Sequence, residues 1–216
     1  MNYTLIEILS YFIGISVFIS LIRWKHIQQR DYFFIAFLWA GLLSEVIATV
    51  SIDLFGTNAV VSNLYTLISA VLLILQFNRW GLFKTIRQLY VWLIGLVSLV
   101  WLWENFIYSS IFAFGSYSGI VTSFLIVLMS IHMINGWISQ VQTSVINNPV
   151  FLICISLILL NTTHTLVEIF WIYGLNASKD FRQSIYRIIT YVNLLVNILY
   201  AIAVLWMPRK KEFIWQ

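Results

Sequence analysis

Apolar stretches of about twenty residues follow one another along nearly the whole chain, broken only by short polar connections. About twenty mostly apolar helical residues are what a helix needs to cross the hydrocarbon core of a bilayer. Seven such stretches can be drawn, at about 4–22, 32–52, 58–78, 88–107, 118–138, 150–173 and 185–207. In hydrocarbon every backbone polar group needs an internal partner, which a helix supplies within one segment and a strand only in a closed barrel. Unbroken apolar runs of this length lack the alternation of barrel strands. The sequence therefore predicts an all-α polytopic membrane protein, a seven-transmembrane-helix bundle forming a single domain over residues 1–216.

Only 9% of the residues are charged, against about a quarter in soluble domains. Seven spans and their connections use the whole length, so a kinase, nuclease or soluble binding domain would have to belong to another chain. The net charge of +4 reads as a topology signal and not as a nucleic-acid surface. Arg23, Lys25 and Arg30, then Arg79, Lys84 and Arg87, then Arg209, Lys210 and Lys211 fall on one side, nine of the twelve basic residues. The positive-inside rule then places the C-terminus in the cytoplasm and the N-terminus outside. Localisation follows as multi-pass in a cell membrane, the bacterial inner membrane. Trp24, Trp80, Trp137 and Trp206 near one face, and Trp101, Trp103 and Trp171 near the other, read as interfacial belts. The lone Cys154 sits inside an apolar run and reads as a packing residue. The first apolar stretch has no basic residues before it and no small-residue cleavage site after it, so no signal peptide is expected.

Polar residues within the spans recur at helical spacing, which places them on single faces. Span 3 carries Asn58, Ser62, Tyr65, Ser69 and Gln76; span 6 carries Asn161, His164, Thr165 and Glu168. Span 7 carries Tyr186, Thr190, Asn193, Asn197 and Tyr200; span 5 carries His132, Asn135 and Ser139. Span 2 adds Glu45 and Thr49, and span 1 adds Glu7 and Ser10. Such stripes should face the bundle interior, because lipid tails cannot hydrogen-bond. At ~1.5 Å per residue, the polar groups of spans 1, 2, 3, 6 and 7 converge on the outward half of the bundle. Ser, Thr and Asn in such positions also serve simply as interhelical hydrogen bonds, worth about 0.6 kcal/mol each on average. Ionisable groups inside a span cost at least ~2.5 kcal/mol and mark function by default. Glu45, His164 and Glu168 are thus the expected charged contacts of a small-ligand site, with Tyr65, Asn161, Tyr186 and Asn193 as polar ones.

Several chemistries fit poorly. His164 and Glu168 lie four apart on one helix face, but two ligands do not make a metal site, and His132 lies nearer the cytoplasmic end. The metal-dependent membrane hydrolases of the ceramidase-like group use several His, an Asp and a Ser, whereas this chain has only His26, His132 and His164. Neither a metal, a cofactor nor catalytic residues are expected. Span 7 has no lysine to bind retinal. Asn197-Ile198-Leu199-Tyr200 is similar to the Asn-Pro-x-x-Tyr motif of G-protein-coupled receptors but lacks its proline. Phe55-Gly56-Thr57-Asn58-Ala59 and Tyr173-Gly174-Leu175-Asn176-Ala177 suggest a faint parallel repeat of spans 1–3 and 5–7, an arrangement known in transporters. In length, span count and orientation the layout is similar to SWEET-type sugar carriers. Those carriers hinge on prolines in the first and fifth spans, whereas here the two prolines, Pro149 and Pro208, lie at span ends.

Asn63-Leu64-Tyr65-Thr66-Leu67-Ile68, running on to Gln76-Phe77, resembles a third-span pattern of uncharacterised small seven-span bacterial membrane proteins. Some of these are similar to the membrane sensing part of signalling kinases. That resemblance carries no known activity. The expectation is a non-enzymatic sensor or receptor-like module in the lipid bilayer. It binds a small ligand in an outward-facing polar cavity and signals to a separate cytoplasmic or membrane protein partner. A small-solute or proton-coupled transporter and a structural subunit of a larger membrane complex are the alternatives.

Overall fold

The structure is a computed structural model that describes residues 9–138, 148–172 and 179–208. Its regular elements are all helices: α1 (Ile13–Ile22), α2 (Tyr32–Phe55), α3 (Ala59–Trp80), α4 (Leu89–Leu102), α5 (Ser116–Ile138), α6 (Pro149–Ile172) and α7 (Lys179–Trp206). Six stretches are long and apolar enough to cross a membrane: those of α2, α3, α5, α6 and α7, and that of α4 continued through Tyr108. Helix α1 is apolar but has ten residues. The span drawn from residue 4 begins, with Glu7, outside the described residues. The Tyr173–Ala177 half of the suggested repeat and the basic Arg209–Lys211 tail also lie outside them.

Consecutive helices pack side by side, α2 along α3, α5 along α6 and α6 along α7, and α1 packs against α7 so that the bundle closes on itself. Helix α3 also touches α5. The apolar centre is built on Phe34, Leu38, Leu73, Phe77, Ile153, Leu157 and Tyr200, each at most 2% exposed. Phe34 and Phe37 stack on each other and both meet Tyr200 edge to face, with ring centroids 5.3–6.0 Å apart.

Polar clasps fasten both ends. At the basic end the Arg23 guanidinium donates to the last carbonyls of α7: Val204 O at 2.5 Å, Met207 O at 2.9 Å, and Leu205 O. The final carbonyls of a helix have no partner within it, so a cation there satisfies both hydrogen bonding and the helix dipole. Gln76, fully buried, bridges α3 to the start of α2: its amide donates to Arg30 O (2.7 Å) and its carbonyl accepts from Phe34 N (2.7 Å). Trp80 Nε1 donates to the buried carboxylate of Asp31 at 2.9 Å. Helix α3 then stops at Gly81, whose φ of 90° is a left-handed conformation suited to glycine. Leu82 N closes back on Phe77 O at 3.0 Å.

Candidate functional site

A cavity of about 210 Å³ lies between α3, α5 and α6, with Phe37 of α2 on one wall. Its polar end is made by Ser62 and Asn63 of α3, Gly115 before α5, and His164 and Glu168 of α6. Farther in, Tyr65, Ser69, Thr122, Ser123 and Asn161 line it, and Leu73, Ile126 and Leu157 form its apolar floor. From Ser62 to Leu73 the α3 wall runs eleven residues, or about 16 Å at ~1.5 Å per residue. The volume equals that of about seven liquid waters at ~30 Å³ each. The space is therefore narrow, graded from polar to apolar, and scaled to a small solute.

Hydrogen bonding shows which lining groups are free to act. Asn161 Nδ2 donates to Leu157 O one turn back (2.8 Å), and Thr165 Oγ1 donates to Asn161 O (2.8 Å). Ser69 Oγ donates to Thr66 O at 3.0 Å. Thr122 is 5% exposed and lines the cavity, yet its hydroxyl has no partner among the described residues. A buried hydroxyl left without a hydrogen bond is costly. His164 lines the cavity with an accessible side chain. Glu168 is half-buried and is bonded by the Ser116 hydroxyl at the start of α5.

Of the seven residues singled out in the sequence, Tyr65, Asn161, His164 and Glu168 share this cavity. Glu45 does not line it. It sits half-buried on α2, bonded by Ser10 and in electrostatic contact with Tyr65. One turn away Thr49 donates to Glu45 O (3.1 Å) and pairs with the Tyr11 hydroxyl at 2.9 Å. Glu45 thus belongs to the seam between α1 and α2, with Tyr65 between it and the cavity. Asn193 is half-buried on α7 and is not among the lining residues. Tyr186 lies on α7, with its side chain outside the described ones. His132 and Asn135 are exposed on α5.

Sequence reasoning missed the polar knot that caps the cavity. Helix α4 loosens into a π-helical turn, Trp103–Tyr108, that carries the buried Glu104 and Asn105. The Glu104 carboxylate accepts from Tyr117 N at 2.8 Å and Ser118 N at 2.6 Å, so it caps the first turn of α5. Asn63 completes the knot. Its amide donates to Ile111 O (3.0 Å) and Ala113 O (2.7 Å), and its carbonyl oxygen accepts from Gly115 N (2.9 Å). Trp101 Nε1 donates to Asn63 O at 2.7 Å. Gly115 sits in the middle: a Cβ there would lie 3.1 Å from Glu104 Oε2, 3.1 Å from Ser118 Oγ and 3.2 Å from Asn63 Oδ1. The Gly115-Ser116 start of α5 was the available signal, because the exposed amides of a helix N-terminus attract a carboxylate.

Among the described residues no group of three or more His, Cys, Asp and Glu side chains is placed to hold a metal. What the arrangement offers is hydrogen bonding from hydroxyl, amide and imidazole groups, with one carboxylate and no Lys or Arg in the lining. Comparison with protein-family models, curated proteins and solved structures finds no match.

Proposed function

We propose that this integral membrane protein is a receptor-like module that binds a small polar solute in the cavity between α3, α5 and α6. The chain crosses the bilayer seven times, with α1 completing a span. Its N-terminus is outside and its basic end lies in the cytoplasm of a bacterial cell, as the distribution of Lys and Arg favours. The polar mouth by Glu168 and Ser62 then faces outward. The observation that carries the reading is the grouping of Tyr65, Thr122, Asn161, His164 and Glu168 around one void. Ionisable residues within a span are functional candidates by default, and His164 and Glu168 both line this void. Binding would shift α5 and α6 against α3 and pass to a separate cytoplasmic partner. A transporter would instead need a route past the apolar floor of Leu73, Ile126 and Leu157.

The test is a small-molecule stabilisation screen on purified protein, followed by Thr122→Val and Asn161→Leu. The reading expects at least one polar solute to raise the unfolding temperature of the native chain and to lose that effect in both variants. Absence of stabilisation by any solute, or stabilisation unaffected by both substitutions, would refute it. Accumulation of the solute in proteoliposomes would favour the transporter.

A further inference from the structure

We infer that the turn joining α3 to α4 is a binding site for a phosphate group, the phosphodiester of an anionic lipid headgroup or a free phosphate. An open cavity of about 510 Å³ lies there, lined on its polar side by Asn78, Arg79, Gly81, Lys84, Arg87 and Gln88. Three cations from different places in the chain meet around one space: Arg79 from the last turn of α3, Lys84 from the turn, and Arg87 just before α4. No Asp or Glu lines it. The one ion pair between described residues is Arg30–Asp31, so among the described residues no carboxylate pairs with any of the three cations.

A topology signal requires only that charge be present on one side of the membrane. Convergence on a cavity asks for more, and the backbone supplies it. Gly81 ends α3 with a φ of 90°, and the Lys84 side chain folds back over it. A Cβ at position 81 would lie 2.5 Å from Lys84 Cε and 3.2 Å from Nζ, so the absence of a side chain at 81 lets the ammonium sit against the end of α3. Arg79 is held by the ring of Phe33, with Cζ 5.7 Å from its centroid, a cation–π arrangement. Asn78 and Gln88 add amide donors beside the cations. Basic pockets between spans on the cytoplasmic side suit anionic headgroups. The neighbouring side chains also suit acyl chains: Ile86, Val91 and Trp92 are 60%, 55% and 73% exposed.

The test compares lipids retained by the purified full chain, read by native mass spectrometry after equilibration with equal amounts of dioleoylphosphatidylglycerol and dioleoylphosphatidylcholine. Preferential retention of phosphatidylglycerol is expected, since the choline cation is repelled by the three basic groups. Arg87→Gln or Lys84→Gln should each lower that preference about five-fold, matching about 1 kcal/mol per basic residue at a lipid surface. Arg87→Lys should keep most of it. Lys25→Gln removes one charge from the connection between α1 and α2 and should leave the preference unchanged. A second arm adds inorganic phosphate to lipid-depleted protein. Thermal stabilisation that Arg87→Gln abolishes, without lipid preference, supports the site and assigns it to free phosphate. No lipid preference together with no phosphate effect would overturn the inference, as would an equal loss in Lys25→Gln.

Discussion

Replacing Glu104 probes how the polar end of the cavity is held. Its carboxylate is 3% exposed and accepts two backbone N–H groups of the first turn of α5. Removing one partner of a buried hydrogen bond costs about 1–3 kcal/mol for the group left behind. Ser118 is 2% exposed, so its stranded N–H takes a mid-range cost of about 2 kcal/mol. Tyr117 is 39% exposed, so its N–H takes the low end, about 1 kcal/mol. Glu104→Ala should therefore destabilise the bundle by about 3 kcal/mol, before any effect of the cavity it leaves. Glu104→Gln keeps one acceptor oxygen but loses the carboxylate's attraction to the helix N-terminus, worth up to ~2 kcal/mol in partly buried geometry, and should cost about half as much. Reversible unfolding in mixed micelles of increasing denaturing-detergent fraction would measure both. A cost for Glu104→Ala under about 0.5 kcal/mol, within the range of ordinary surface substitutions, would refute the capping argument. A larger cost for Gln than for Ala would do the same.

The same clasps yield further expectations. Gly115→Ala would push a methyl group against three fixed polar atoms at 3.1–3.2 Å, and the same unfolding assay should show a loss of about 1–3 kcal/mol, typical of overpacking. Gln76→Leu strands the buried Phe34 N–H and should cost about 1–3 kcal/mol, with hydrogen exchange at Phe34 rising in parallel. Arg23→Gln removes the charge that holds the end of α7; charge-assisted bonds of this kind contribute about 1.5–3 kcal/mol, and proteolysis at the end of α7 should quicken. Thr122→Val fills the same space without the unpartnered hydroxyl, so its unfolding temperature should equal or exceed that of the native chain.

What could be read in advance follows from what the bilayer imposes. Hydrocarbon thickness sets the length of an apolar helix, so α2 to α7 stand out as unbroken runs. Spacing along one helix was also legible, because rise per residue is constant. It puts His164 and Glu168 one turn apart on one face of α6, and both line the cavity. Azimuth was not legible. Glu45 has a suitable depth, but whether it turns towards α3 or α1 depends on how the helices pack, and it turns to Ser10. Thr122 and Ser123 lie in a span whose conspicuous polar residues, His132 and Asn135, face outward. The capping role of Glu104 escaped notice for a different reason. Its partners are main-chain amides of the next helix, and amides leave no trace in a side-chain pattern. The cations at the α3–α4 turn were visible as charge, but their convergence depends on the left-handed Gly81.

The central claim is a wet chamber reached from outside the cell, and thiol accessibility tests it most directly. Cys154 is the one native cysteine and is fully buried, so Cys154→Ala provides a quiet background. In that background Ser62→Cys and Asn161→Cys would be treated in intact cells with a membrane-impermeant cationic thiol reagent, with Leu99→Cys on the exposed apolar face of α4 as control. The account predicts rapid labelling of positions 62 and 161 from outside and none at 99. Labelling of 62 and 161 only after the cytoplasm is opened, or at no faster a rate than 99, would contradict it.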